Sequence, residues 1–172
     1  SFRIKLPDLA RFQLKWWLDN LQNLNGFPIC KESSIVKFEF SVACDASDRG
    51  FFVYMVESKQ RLFSRPFTVV DSEESSTFTE LTAVHETWTS VDILTEFAGK
   101  TVGHYTENKA VTYIMSGGSR NPRLQKLSLE IFLALKKYHI LLVPTWISRE
   151  NDIISWADWG SRDFKSDDYS MD

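Results

Sequence analysis

Cysteine is scarce in this 172-residue chain, which has only Cys30 and Cys44. Two thiols cannot build a disulfide framework, so they read as reduced cysteines of an intracellular protein, in cytoplasm or nucleus. Glycine and proline number only 7 and 5 against 25% charged residues, a balance that argues against wholesale disorder. No apolar run approaches the roughly 20 residues a membrane helix needs, so no membrane partner is expected. An excess of positive charge is missing too: 20 Lys and Arg against 23 Asp and Glu leave a formal charge of −3. Free-standing nucleic-acid binders are usually basic, so the balance argues against one, though not against a binder whose grip comes from neighbouring domains. There is no phosphate-binding glycine loop, nucleophile elbow or zinc-ligand spacing. No signal peptide is present, and the start at Ser1 leads us to expect an excerpt of a longer polypeptide.

What the chain does have is apolar material. Hydrophobic residues make up 43%, with 13 Phe and 6 Trp, ample for one core. Over residues 8–24 the positions Leu9, Phe12, Trp16, Trp17, Leu21 and Leu24 follow a helical spacing, ended by Asn25-Gly26 and Pro28. From Val36 the period becomes two. Val36, Phe38, Phe40, Val42 and Cys44 share one face of a strand, and Asp45 ends the polar face. Phe51 to Val56 and Arg61 to Phe67 continue as a meander around Ser58-Lys59-Gln60. A helix capped near Ser75, Ser76 or Thr77 is expected to run to about Phe97, with Gly99 stopping it. Thr101 to Thr106 reads as a strand and Asn108 to Met115 as a small helix. A helix marked by Leu124, Leu127, Ile131 and Leu135 follows, then a strand from Ile140 to Ile147 and a last helix from Asp152 to Trp159. Three meandering strands and then alternation, in the order β-β-β-α-β-α-α-β-α, predict an α/β fold: a mixed five-stranded sheet with helices on its faces. We expect residues 1–34 to be a connecting segment with an N-terminal helix, 35–162 the domain, and 163–172 an acidic tail.

Four acids stand at element ends: Asp45 on the first strand, Glu80 in the first turn of the long helix, Glu107 after the fourth strand, and Asp158 on the last helix. Ends of central strands open onto one edge of a mixed sheet, where ligands commonly bind. Carboxylates gathered there repel one another unless cations lie between them. Two divalent ions about 4 Å apart satisfy them and support phosphodiester hydrolysis. Ligation by oxygen alone points to Mg2+ or Mn2+ rather than zinc. The plainer explanation is that some of 23 acids fall at strand ends by chance, and that a glutamate in a first helical turn simply suits the helix dipole.

The ordered set Cys44-Asp45-Ala46-Ser47 with Gly50, Thr79-Glu80-Leu81 with Ala83-Val84, Thr106-Glu107-Asn108 and Ala157-Asp158 resembles the ribonuclease H signature. More narrowly, it is similar to the ribonuclease H of DIRS-type retrotransposons, which carry a tyrosine recombinase. That likeness rests on Ser75-Ser76-Thr77, Gly118-Ser119-Arg120, Leu124-Gln125, Trp146-Ile147, Arg149-Glu150-Asn151, Ser161-Arg162 and Asp167-Asp168. Leu14-Lys15-Trp16-Trp17 and Asn25-Gly26-Phe27-Pro28-Ile29 resemble the segment that leads from polymerase to ribonuclease H. The resemblance implies a ribonuclease H-like fold and cleavage of the RNA strand of an RNA–DNA hybrid with two Mg2+ or Mn2+ ions. It makes Asp45, Glu80 and Asp158 metal ligands, with Glu107 at the remaining position, and an upstream reverse transcriptase domain of the same polyprotein a partner. Three departures stand out. Position 107 is normally aspartate, Phe51-Phe52 replaces Trp-Gly, and no histidine precedes the last helix.

Arg120, Arg123 and Lys126, after a Gly-Gly loop, are the candidates for phosphate contacts, against the alternative of a solvated helix start. The six tryptophans are expected in the core rather than as base-stacking platforms. His85, among helix residues, is expected to be a surface or packing histidine rather than a base, and His104 and His139 have no metal-ligand spacing. The rival to an active nuclease is a host-domesticated, inactive domain that binds a host protein partner or nucleic acid; Glu107 and the acidic balance favour it.

Overall fold

The computed structural model describes residues 5–24, 37–68 and 74–162. The chain divides into two compact units, Ser1–Val36 and Lys37–Asp172. In the first, α1 spans Asp8–Leu24, with Lys15 paired to Asp19 one turn on at 3.0 Å. The stop at Asn25-Gly26 and Pro28, the strand start at Val36, Cys30 and the tail from Asp163 lie outside the described residues.

The second unit is built on five strands: β1 Phe40–Ala46, β2 Gly50–Met55, β3 Arg61–Pro66, β4 Thr101–Thr106 and β5 Leu141–Trp146. Their order across the sheet is β3-β2-β1-β4-β5. The meander is antiparallel, while β4 pairs in parallel with both β1 and β5. This is the expected mixed α/β sheet with β1 at its centre. Regular pairing of β1 begins at Phe40, four residues later than the alternation alone suggests.

Helices α2 Ser76–Thr89, α3 Val91–Glu96, α4 Lys109–Gly117, α5 Pro122–Lys137 and α6 Asp152–Arg162 complete the unit. Polar caps set the starts of three of them. Ser75 accepts from Phe78 N, Asn108 from Ala110 N and Val111 N, and Asn121 from Arg123 N and Leu124 N, ahead of Pro122. The single long helix expected up to Phe97 is broken at Ser90, whose ψ of 123° leaves the helical region. Thr87 and Thr89 donate their hydroxyls back to the carbonyls of Ala83 and His85, a pattern that bends and weakens helices. Gly99, with φ of 74°, then takes the left-handed conformation that ends the segment. Among the described residues no helix is long and apolar enough to cross a membrane.

Strand β1 is buried on both faces. Val42 and Cys44 join the main core with Leu81, Val84, Trp88 and Val102. Ala43 packs with Tyr54 and Ala157 on the opposite face, under α6. The side that alternation marks as polar is therefore covered, and it carries Asp45 inward with it. The covering contact depends on Gly160 of α6: a Cβ there would fall inside the envelope of the Phe52 ring. Phe52, one of the departures from the ribonuclease H signature, is thus admitted by a glycine on the facing helix. Gly160→Ala should cost about 1–3 kcal/mol of unfolding free energy through overpacking. In a Phe52→Ala background that cost should shrink by at least about 0.5 kcal/mol; urea denaturation of the four variants measures both.

Candidate active site

Asp45, next to last in β1, and Glu80, on α2, are 3% and 4% exposed. Few carboxylates are buried this deeply without a partner, and both have one. The Ser161 hydroxyl donates to Asp45 Oδ2 at 2.7 Å, and the Thr106 hydroxyl to Glu80 Oε1 at 2.5 Å. Glu80 is the fifth residue of α2 rather than in its first turn. Its burial against Thr106 is therefore no effect of the helix dipole.

Glu107 directly follows β4. Its main-chain carbonyl accepts from Trp146 Nε1 at 2.8 Å, which ties the β4–α4 turn to the end of β5. Its Oε2 is buried without a hydrogen bond, and the nearest charge is Arg149 Nε at 3.4 Å. Asp158, on α6, faces two cations: Arg162 at 2.8 Å and Arg149 at 3.5 Å, both on Oδ1. An open cleft of about 510 Å3 at this end of the sheet is lined by Glu80, Glu107, Asn108, Lys109 and Trp146, among others.

The four carboxylates share one electrostatic field. Burial pushes Asp45 up from 3.8 to about 6; Ser161 opposes the shift, and the charges of Glu107 and Asp158 add to it. Burial and then the charge of Asp45 push Glu80 up from 4.5 to about 8, with Glu107 adding to the shift against the Thr106 hydrogen bond. Asp45 therefore lies within electrostatic reach of Glu80, Glu107 and Asp158, the other three acids that the sequence singles out. Their donor chemistry suits a hard divalent cation: carboxylate oxygens only, two of them deeply buried and one, on Glu107, lacking a hydrogen bond. In this conformation, however, no three carboxylate, imidazole or thiol groups among the described residues are gathered closely enough to hold an ion. Hydroxyls hold the two inner acids and guanidinium groups the two outer ones.

The remaining candidates are scattered. Arg123 pairs with Glu74 at 2.6 Å and lies over the Phe78 ring. Lys126 sits 4.0 Å from Glu130, and Arg120 is exposed. His85 bonds Glu130 at 2.7 Å, and buried His104 accepts from Trp88 at 3.2 Å. The tryptophan expectation needs correcting. Trp88 is fully buried, but Trp146, Trp156 and Trp159 are 43%, 40% and 53% exposed. The last two stack on each other along α6, whose buried residues are Ile154, Ala157, Gly160 and Ser161. From sequence alone no role is assigned to Thr106, Arg149, Ser161 or Arg162. The only signal is their place inside the motif stretches, since their partners lie up to 116 residues away.

No protein-family model and no curated protein matches the chain. Solved structures do. A ribonuclease H1 from the halophilic archaeon Halobacterium salinarum is 12% identical with a TM-score of 0.53, over 70% of this chain and 92% of that one. A ribonuclease H1 isolated from compost by a metagenomic approach is 16% identical with a TM-score of 0.54, over 72% and 92%. The N-terminal ribonuclease H domain of a Mycobacterium tuberculosis protein is 13% identical with a TM-score of 0.50, over 72% and 94%. The chain has the ribonuclease H-like fold.

Asp45 and Glu80 hold protons to higher pH in the fold than in the unfolded chain. From their ordinary values of 3.8 and 4.5 up to about 6 and about 8, the folded state binds more protons, so stability falls as pH rises. The metal-free chain should lose stability steadily between about pH 4 and about pH 8. Glu80→Gln should flatten the upper part of that slope, read from denaturation midpoints across the range.

Proposed function

We propose that the chain is a ribonuclease H-type endonuclease that hydrolyses the RNA strand of RNA–DNA hybrids within a retroelement reverse transcriptase of the DIRS type. The observation that carries the reading is the deep burial of Asp45 and Glu80, with Glu107 and Asp158 both reached by Arg149, on a ribonuclease H-like sheet. In this reading the four carboxylates hold two Mg2+ or Mn2+ ions. Bound divalent ions there polarise the scissile phosphate and lower the pKa of the attacking water. Asp45 and Glu80 are the inner pair, positioned by Ser161 and Thr106. Glu107 and Asp158 close the outer side, and Trp146 fixes the main chain that bears Glu107. Arg120, Arg123 and Lys126 take backbone phosphates at the start of α5. Residues 1–34 form the connection from an upstream reverse transcriptase domain, 35–162 the nuclease domain, and 163–172 a tail.

A second reading, a domesticated and inactive domain that binds a host protein or nucleic acid, draws on Glu107. Its extra methylene moves the carboxylate by about 1 Å, and catalytic geometry tolerates about half of that. One assay separates the two. On a labelled hybrid, the natural chain should cleave slowly, and faster with Mn2+ than with Mg2+. Glu107→Asp should gain at least about tenfold, and Asp45→Asn should lose on the order of a hundredfold. If the natural chain and Glu107→Asp are both as inert as Asp45→Asn, the second reading stands. Replacing Arg120, Arg123 and Lys126 together by Ala should weaken hybrid binding and flatten its salt dependence. An unchanged slope returns them to ordinary surface charge.

A further inference from the structure

We infer that Arg149 is the exchangeable counterion of the acidic site: its guanidinium bridges Glu107 and Asp158, and a divalent cation must displace it to use those carboxylates. The inference rests on the metal-binding role proposed above for the four acids.

Arg149 lies in the loop between β5 and α6. Its Nε stands 3.4 Å from Glu107 Oε2 and its Nη2 3.5 Å from Asp158 Oδ1. It therefore joins two acids that come from different elements, 51 positions apart (158 − 107). Both distances exceed the 2.7–2.9 Å usual for charge-assisted bonds, and the side chain is 65% exposed. A loose, solvent-facing guanidinium neutralises repulsion between the acids without being locked in. Arg162 differs. It holds Asp158 at 2.8 Å from within the same helix, and its carbonyl accepts from Arg49. Asp158 Oδ1 is thus already paired without Arg149, whereas Glu107 Oε2 has no hydrogen bond at all.

The loop supports such a movement. Hydrogen bonds hold it on either side of Arg149: Ile147 N donates to the Thr106 carbonyl, Ser148 Oγ accepts from Glu150 N, and Ser148 O from Asn151 N. The Asn151 side chain in turn accepts from Ile153 N. None of these bonds uses the Arg149 side chain, so the guanidinium can leave while the loop and α6 stay in place. A divalent cation that takes oxygens from both Glu107 and Asp158 competes for the charge that Arg149 now compensates. Removing Arg149 therefore leaves Glu107 uncompensated, while Asp158 keeps Arg162, and raises the affinity of the pair for the ion.

The experiment is calorimetric titration of Mn2+ into the natural chain, Arg149→Gln, Lys100→Gln and Asp45→Asn, with melting temperatures in parallel. Lys100 pairs with Glu39, at the start of β4 and away from Glu107, and controls for net charge. Arg149→Gln should bind Mn2+ about three- to tenfold more tightly than the natural chain, the range expected for releasing two exposed ion pairs. Lys100→Gln should bind like the natural chain. Binding to Arg149→Gln that is unchanged or weaker, while the natural chain binds and Asp45→Asn does not, overturns the role of Arg149 and leaves the metal site standing. Binding by none of the four overturns both. If Arg149→Gln does not fold, 15N spectra of the natural chain decide. The Arg149 Nε–H signal should shift and exchange faster with water as Mg2+ is added, and an unmoved signal at saturation overturns the inference.

Discussion

Two carboxylates withdrawn from water at the end of the central strand set the terms for the rest of this unit. Taking Asp45 and Glu80 almost wholly out of solvent is unfavourable for each, and their proximity makes ionising both harder still. Everything around them answers that strain. Thr106 and Ser161 donate to them, and Arg149 and Arg162 balance the next two acids outward. Deep burial of carboxylates with so few compensating charges is a poor way to stabilise a fold. On the proposed function, the arrangement is a site kept ready for positive charge from outside.

That burial depends on layers placed over both faces of β1. On one side α2 and α5 cover the main core; on the other α6 is the helix that covers Ala43 and Tyr54 among the described residues. Tyr54 donates to the Ile153 carbonyl at 2.6 Å, and Gly160 yields room to Phe52. Because α6 also carries Asp158, Ser161 and Arg162, its seating on β2 places a third acid, a hydrogen-bond donor and a cation at once. Packing at Phe52 and the electrostatics at Asp45 are therefore linked through one short helix.

The Glu107 position shows how a longer side chain is accommodated. Its main chain is held by Trp146, its Oε2 stays unbonded, and Arg149 stands just beyond normal hydrogen-bond reach. Such a carboxylate is less firmly placed than Glu80, whose oxygen is gripped by Thr106. On the proposed nuclease reading, this looser placement is the physical reason to expect slow cleavage without loss of fold.

Much of this was legible in the residues themselves. Alternation from Phe40 to Cys44, the cap near Ser75, and the order of elements follow from local backbone preferences, so strand and helix positions could be read off the chain. Two of the four candidate acids were legible by place, since Asp45 stands near the end of β1 and Glu107 directly follows β4, whereas Glu80 lies a turn inside α2 and Asp158 in the middle of α6. The break at Ser90 was not, since two threonine hydroxyls bending a helix leave no mark on its apolar stripe. Neither was the exposure of Trp156 and Trp159: their spacing gives a helix face but not which face meets the sheet. Asp45 on a nominally polar strand face became buried only because α6 returns, over a hundred residues later, to cover it. The partnerships of Arg149 with Glu107 and of Ser161 with Asp45 have the same origin. Local sequence sets backbone conformation through near neighbours, whereas burial, pairing and pKa arise from contacts between distant segments, which only the closed tertiary structure determines.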